Sequence, residues 1–169
     1  MSKAFTREEN EGPDLPELAP TLSPLPPGAR NLMTRTGAER LRAELERLVE
    51  KERPSLLGAT DDADAKRRLG LLDQRIFQLG QSLQSAEVVS PPEGPATAVT
   101  FGATVTVRGP DGQEKFRIVG VDETDHESRW VSWLSPVARA LMSAKVGQRV
   151  QFKYPCGEES LEVLAISYE

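Results

Sequence analysis

The sequence predicts an α+β protein in which an antiparallel coiled-coil hairpin precedes a small β-sheet domain with one helix. Apolar residues recur at alternating spacings of three and four across residues 36–87, as expected for packed helices. From residue 99 onward the pattern changes to short β-type runs separated by turn residues. We therefore divide the chain into a disordered tail over 1–33, a hairpin over 34–90, a linker over 91–98 and a C-terminal domain over 99–169.

The tail is predicted from its composition. Residues 1–33 are rich in Pro, Glu and Gly and offer little apolar surface to offset the entropy lost on ordering. The whole chain carries a net charge of −5 and a single cysteine, Cys156, which excludes an internal disulfide framework and offers no zinc motif. No region is basic enough for duplex DNA binding, and no apolar run is long enough to span a bilayer. We expect a cytoplasmic protein without a membrane partner.

Two apolar stripes define the hairpin. Neither stripe can be buried alone, so the two helices are expected to fold back on each other. Thr36 and Glu39 fit a capping box that would start the first helix, and Pro54 either kinks the first arm or marks its end. The stripes consist of Ala38, Leu41, Leu45 and Leu48 in the first helix, and Leu69, Leu72, Ile76, Leu79, Leu83 and Ala86 in the second.

The C-terminal domain is predicted to hold about five strands around one short helix. Ser135 is placed to cap that helix and Pro136 to occupy its first position. Turn residues lie at 109–112 and at 155–157. About 70 residues are enough for one small hydrophobic core.

The stretch between the two helices carries three aspartates, Asp61, Asp62 and Asp64. They have two interpretations. Thr60 or Asp62 caps the second helix, and acids in its first turn complement the helix dipole. Alternatively, the paired carboxylates form a functional acidic tip that holds a divalent metal.

Several strings in both regions are similar to those of the bacterial GreA/GreB transcript-cleavage factors, nearer to the GreB branch. They are LPPGARNLMT, LRAELERLVEKERP, LDQRI, VTFGATVTV, FRIVGVDE, SPVARAL, VGQRVQF and PCGEES. SPVARAL followed by VGQRV is the most specific. The resemblance implies an FKBP-like C-terminal domain that docks on RNA polymerase at the rim of its secondary channel, while the coiled coil enters the channel.

In that family, two acids at the tip help to hold a catalytic Mg²⁺ of the polymerase, which then hydrolyses its own backtracked transcript. A carboxylate pair suits this task because Mg²⁺ prefers hard oxygen ligands and generates the nucleophile from water. The protein is then an accessory factor and not an enzyme. We expect it to have no metal or cofactor of its own and, if the tip is active, to act with the Mg²⁺ of RNA polymerase.

The tip departs from the family pattern. Where that pattern resembles G-D-x-S-E-N-A-x-Y, this chain reads GATDDADAK. The hairpin is also shorter by about a dozen residues, which at about 1.5 Å per helical residue, shared between two arms, reduces the reach by roughly 10 Å. We therefore expect a regulator of transcription elongation with weak or no stimulation of cleavage. The alternative is a genuine cleavage factor that uses the tip aspartates, and a remote one is a peptidyl-prolyl isomerase.

The resemblance also implies which residues contact the partner. We expect the free protein to be a monomer and to contact nascent RNA, if at all, within the polymerase complex. Leu134 and Trp133 replace residues of other types beside the docking loop and would make it more apolar or extend the core. The predicted polymerase-binding residues are Ser132, Ser135, Pro136 and Arg139, and the predicted transcript or channel contacts are Lys66, Arg67 and Arg68, for which a solvated helix face with local ion pairs is the alternative.

Overall fold

The computed structural model describes residues 25–58 and 62–168. Most of the predicted tail and the tip positions Thr60 and Asp61 lie outside these ranges. The first arm contains α1 (Arg35–Arg47), a π-helical segment (Leu48–Glu52) and α2 (Arg53–Leu57), and the second arm is α3 (Ala63–Ser85).

The two arms run antiparallel. Arg75 donates to Glu44 at 2.8 Å, and Arg53 donates to Asp73 at 2.7 Å. The later residue of the first arm, Arg53, thus pairs with the earlier residue of the second arm, as antiparallel helices require. All residues of the two predicted stripes belong to one apolar cluster between the arms, which Met33 and Leu56 extend. The described arms thus bury the predicted faces against each other.

Pro54 lies inside the first arm and does not end it. Proline has no N–H to donate to the preceding turn. The backbone accommodates it with the wider π-helical turn just before it, in which the N–H of Arg53 reaches the carbonyl of Leu48. The helix then continues to Leu57.

The predicted start of the first helix was wrong by two residues. The cap is Thr34, whose hydroxyl accepts a hydrogen bond from the N–H of Gly37 at 3.0 Å, and Thr36 lies within the first turn. Thr34 ends a short strand, β1 (Leu32–Thr34), which pairs in parallel with β2 (Glu87–Val89) after the second arm. This two-stranded sheet brings the bases of both arms together.

The C-terminal region forms a five-stranded sheet in the order β5-β4-β3-β7-β6, in which only the β4–β5 pair is parallel. Gly112 closes the β3–β4 turn at a φ of 119°, a conformation that favours glycine. The strands are β3 (Thr104–Gly109), β4 (Gly112–Val119), β5 (Trp130–Ser132), β6 (Arg149–Tyr154) and β7 (Gly157–Ser167).

Helix α4 (Pro136–Leu141) completes the core of this region. Its Ala138 and Leu141 are fully buried, as are Val105 of β3, Ile118 of β4 and Val163 of β7. These side chains belong to one hydrophobic cluster, so the helix packs on the inward face of the sheet. The observed architecture is α+β, as predicted. Among the described residues, no helix is both long enough and apolar enough to cross a bilayer.

Candidate functional site

The tip is built around the start of α3. Asp62 is the N-cap, and its Oδ1 accepts a hydrogen bond from the N–H of Asp64 at 2.9 Å. Asp64 lies in the first turn, where its charge complements the positive end of the helix dipole. Both side chains are exposed, and Asp61 lies outside the described residues. The capping interpretation is therefore confirmed for Asp62, which commits one of its two carboxylate oxygens to its own helix.

The tip also presents positive charge. Lys66, Arg67 and Arg68 are exposed in the first turns of α3, and none of them forms an ion pair with a described residue. Consecutive helical residues are about 100° apart, so the three side chains spread over more than half of the helix circumference. This arrangement places three cations around the end of the hairpin, none of them paired with a described residue, and does not form a single narrow binding face.

Basic residues farther from the tip behave differently. Arg53, in the first arm, pairs with Asp73 on the other arm. The π-helical segment just before Arg53 widens one turn and so changes the angular position of every residue that follows it. The hydrogen bond from Arg53 to Asp73 raises the pKa of the guanidinium above its ordinary value. Arg53 is therefore committed to a contact between the arms.

The loop before α4 holds the predicted polymerase-binding residues in one segment. The hydroxyl of Ser132 accepts from the N–H of Leu134 at 3.1 Å, and that of Ser135 accepts from the N–H of Ala138 at 3.2 Å. Both serines shape the local backbone. Pro136 and Arg139 are exposed, and the backbone N–H of Arg139 bonds to the carbonyl of Ser135 at 2.9 Å. The side chains free to meet a partner are those of Pro136 and Arg139.

Trp133 and Leu134 do not continue a strand. β5 ends at Ser132 and the chain turns there. The alternation of side chains along a strand therefore does not determine which way Trp133 and Leu134 face. Trp133 packs against the core of the sheet, while Leu134 is half-buried and outside that core cluster.

The structure shows one feature that the sequence analysis missed, a polar junction between the arms and the sheet. Glu123, in the 3₁₀ turn Val121–Glu123, is fully buried and hydrogen-bonded to Thr34 at the start of α1. Nearby, the guanidinium groups of Arg40 and Arg117 lie over the ring of Trp130, at 5.3 and 4.8 Å from the ring centre. The Thr34–Gly37 spacing is a local capping signal, but nothing local points to an acid 89 positions away.

Known proteins resemble this chain over most of its length. The family described as "Transcription elongation factor, GreA/GreB, C-term" matches residues 94–168. The chain is 38% identical over 154 residues to transcription elongation factor GreB of Neisseria meningitidis serogroup B, a match that covers 82% of this chain and 94% of that protein. It is 33% identical over 153 residues to transcription elongation factor GreA of Francisella tularensis subsp. novicida, covering 81% and 96%.

Among solved structures, a prokaryotic transcription elongation factor GreA/GreB from Nitrosomonas europaea aligns with 81% of this chain and 98% of its own. The two are 26% identical, and the TM-score is 0.40. At this score the whole chains superpose loosely.

Proposed function

Because the chain belongs to the GreA/GreB family of transcription elongation factors, we propose that it binds RNA polymerase at the secondary channel and regulates elongation with weak or no stimulation of transcript cleavage. In this proposal the protein is a cytoplasmic monomer. The five-stranded domain has the FKBP-like fold and docks at the channel rim. The two arms form a coiled coil that enters the channel.

The observation that carries the weak-cleavage proposal is the hydrogen bond from the N–H of Asp64 to Asp62 at the tip. A carboxylate that binds Mg²⁺ must place an oxygen about 2.1 Å from the metal. Asp62 instead directs Oδ1 at its own backbone, and no cluster of three or more His, Cys, Asp or Glu side chains among the described residues could hold a metal. The carboxylates of Asp62 and Asp64 have the right donor chemistry, but their arrangement favours helix capping.

The reach of the hairpin points the same way. Arg53 and Asp73 face each other across the arms, which leaves four residues of α2 and ten of α3 beyond that pair to form the tip. At about 1.5 Å per residue, the tip extends only about 15 Å past it. A short hairpin that occupies the channel without delivering carboxylates to the metal would act as a competitor of true cleavage factors.

Docking is assigned to the loop before α4 in this proposal. Exposed Pro136 and Arg139 supply an apolar and a cationic contact on one surface, while Ser132 and Ser135 hold the loop in shape. At the other end, Lys66, Arg67 and Arg68 would meet the phosphates of the transcript or acidic groups of the channel. Any Mg²⁺ involved would be that of the polymerase.

The test uses stalled, backtracked elongation complexes with end-labelled transcript and Mg²⁺. We expect no cleavage above background from the protein alone and dose-dependent inhibition when a known cleavage factor is titrated against it. Cleavage by the wild type that Asp62→Ser abolishes would refute the weak-cleavage proposal, because serine also caps helices but carries no carboxylate.

A matched pair of variants tests docking in the same assay. Arg139→Ala should weaken inhibition about ten-fold, the loss expected when an exposed arginine at an interface is truncated. Arg108→Ala removes another exposed arginine, from β3, and should leave inhibition unchanged. Equal effects of the two variants would exclude a specific role for the loop before α4.

A further inference from the structure

The buried carboxylate of Glu123 completes the cap of α1 from a distant part of the chain. Its Oε2 accepts hydrogen bonds from the N–H of Thr34 and the N–H of Gly120, both at 2.9 Å. Its Oε1 accepts a further hydrogen bond from the hydroxyl of Thr34. The side chain is fully buried, so it has no water to replace these donors.

This arrangement is a capping box shared between two parts of the molecule. In an ordinary capping box, an acid three residues after the N-cap binds the N–H of the cap residue. Here the cap is Thr34 and that third position is Gly37, which has no side chain. Glu123 supplies the missing carboxylate. A Cβ at Gly37 would lie 2.6 Å from Cγ of Glu123 and closer still to its carboxylate, so the glycine leaves room for the distant acid.

The second arm is tied to the same 3₁₀ turn. Asp122, the neighbour of Glu123, accepts a hydrogen bond from the hydroxyl of Ser82 in α3. Asn31 donates to the carbonyl of Ser82 and to the hydroxyl of Ser85, both at 3.0 Å, which holds the strand before α1 against the base of α3. Two adjacent carboxylates of one turn therefore each bind a different arm.

We propose that Glu123, supported by Asp122, is a positioning residue that sets the direction in which the arms leave the C-terminal domain. The arms amplify any change at this junction. The 23 residues of α3 span about 34 Å, so a rotation of about 15° at the base would move the tip by roughly 9 Å. The orientation itself does not depend on what the protein binds, but its consequence for inhibition rests on the proposed function.

Distances between two spin labels test this assignment directly. Cys156 is the only cysteine of the chain, is exposed and lies in the β6–β7 turn, while Arg68 is exposed near the tip. Labels on Cys156 and on Arg68→Cys should give one narrow distance distribution. Glu123→Ala should broaden or shift it by several ångströms, with the helical circular dichroism retained. Glu123→Gln, which keeps an oxygen acceptor for the two N–H groups, should restore most of the original distribution.

A matched control and a second variant complete the design. Glu44→Ala breaks the ion pair with Arg75 between the arms but leaves the junction intact, so it should not change the distances. Should Glu123→Ala fail to fold, Thr34→Val decides, since it removes only the hydroxyl and should broaden the distribution as well. A distribution identical to wild type in a folded Glu123→Ala or Thr34→Val variant would overturn the assignment.

The inhibition assay separates this inference from the proposed function. If wild-type protein fails to inhibit a cleavage factor while Glu123→Ala still broadens the distances, the positioning role stands and the polymerase proposal fails. If wild type inhibits and the distances do not change, the positioning role fails alone. Broadened distances with inhibition at least ten-fold weaker would support both.

Discussion

Replacement of Gly37 by alanine should destabilise the protein, although the same replacement elsewhere in its helices should stabilise it. Alanine is favoured over glycine inside a helix by about 1 kcal/mol. At Gly70, an exposed position in α3, an added Cβ would have no atom within 4 Å, so Gly70→Ala should raise the free energy of unfolding by about 0.5–1 kcal/mol. Gly37→Ala should instead lower the free energy of unfolding.

The magnitude at Gly37 follows from the contacts that Glu123 would lose. The added Cβ overlaps the carboxylate, which must move away from the two N–H groups and the hydroxyl that it binds. Each hydrogen bond to a charged group is worth about 1.5–3 kcal/mol, and a buried charge that loses its partners costs about 3–5 kcal/mol in all. After the helix gain is subtracted, we expect a net loss of about 2–4 kcal/mol.

Urea denaturation of wild type, Gly37→Ala and Gly70→Ala measures the free energy of unfolding of each, and so tests both predicted changes. Circular dichroism at the helical minimum follows the arms, and the fluorescence of Trp130 and Trp133 follows the C-terminal region. Gly37→Ala should lower the midpoint for both signals, because the junction belongs to both. A Gly37→Ala variant as stable as Gly70→Ala would refute the shared capping box.

Three further predictions concern the arms, the short helix and the base of the hairpin. Leu79→Ala should destabilise the arms by about 2–5 kcal/mol in thermal unfolding, because Leu79 is fully buried between them; a loss below 1 kcal/mol would mean that the arms do not pack as described. Ser135→Ala should cost about 1 kcal/mol through the lost cap of α4, and Ser135→Asp should recover most of it. Hydrogen bonds from Arg30 hold the pKa of Glu87 below its ordinary value of 4.5. The pair therefore stabilises the fold above pH 4.5, and this stabilisation is lost as the pH falls through the pKa of Glu87 in the folded protein. The difference in unfolding midpoint between wild type and Glu87→Gln should therefore shrink on acidification and in high salt, and a difference independent of pH would contradict this.

The features that the sequence determined are those that depend on near neighbours. The apolar stripes through Leu41 and Leu72 follow from helical periodicity, since residues three and four apart share one face whatever lies across from them. The cap of α4 by Ser135 and the cap of α3 by Asp62 each involve a donor within three residues. Such patterns are complete in a short stretch of chain, so they could be predicted without the fold.

Tertiary structure decided the features whose partners are far apart in the chain. The cap of helix α1 is Thr34 and not Thr36 because Glu123, 89 residues away, supplies the carboxylate that a local capping box would need. Arg53 pairs across the arms because a π-helical turn changes its angular position, and β5 ends at Ser132 because the chain must turn into α4. A buried carboxylate is tolerated only where several donors converge on it, and only the folded chain brings those donors together.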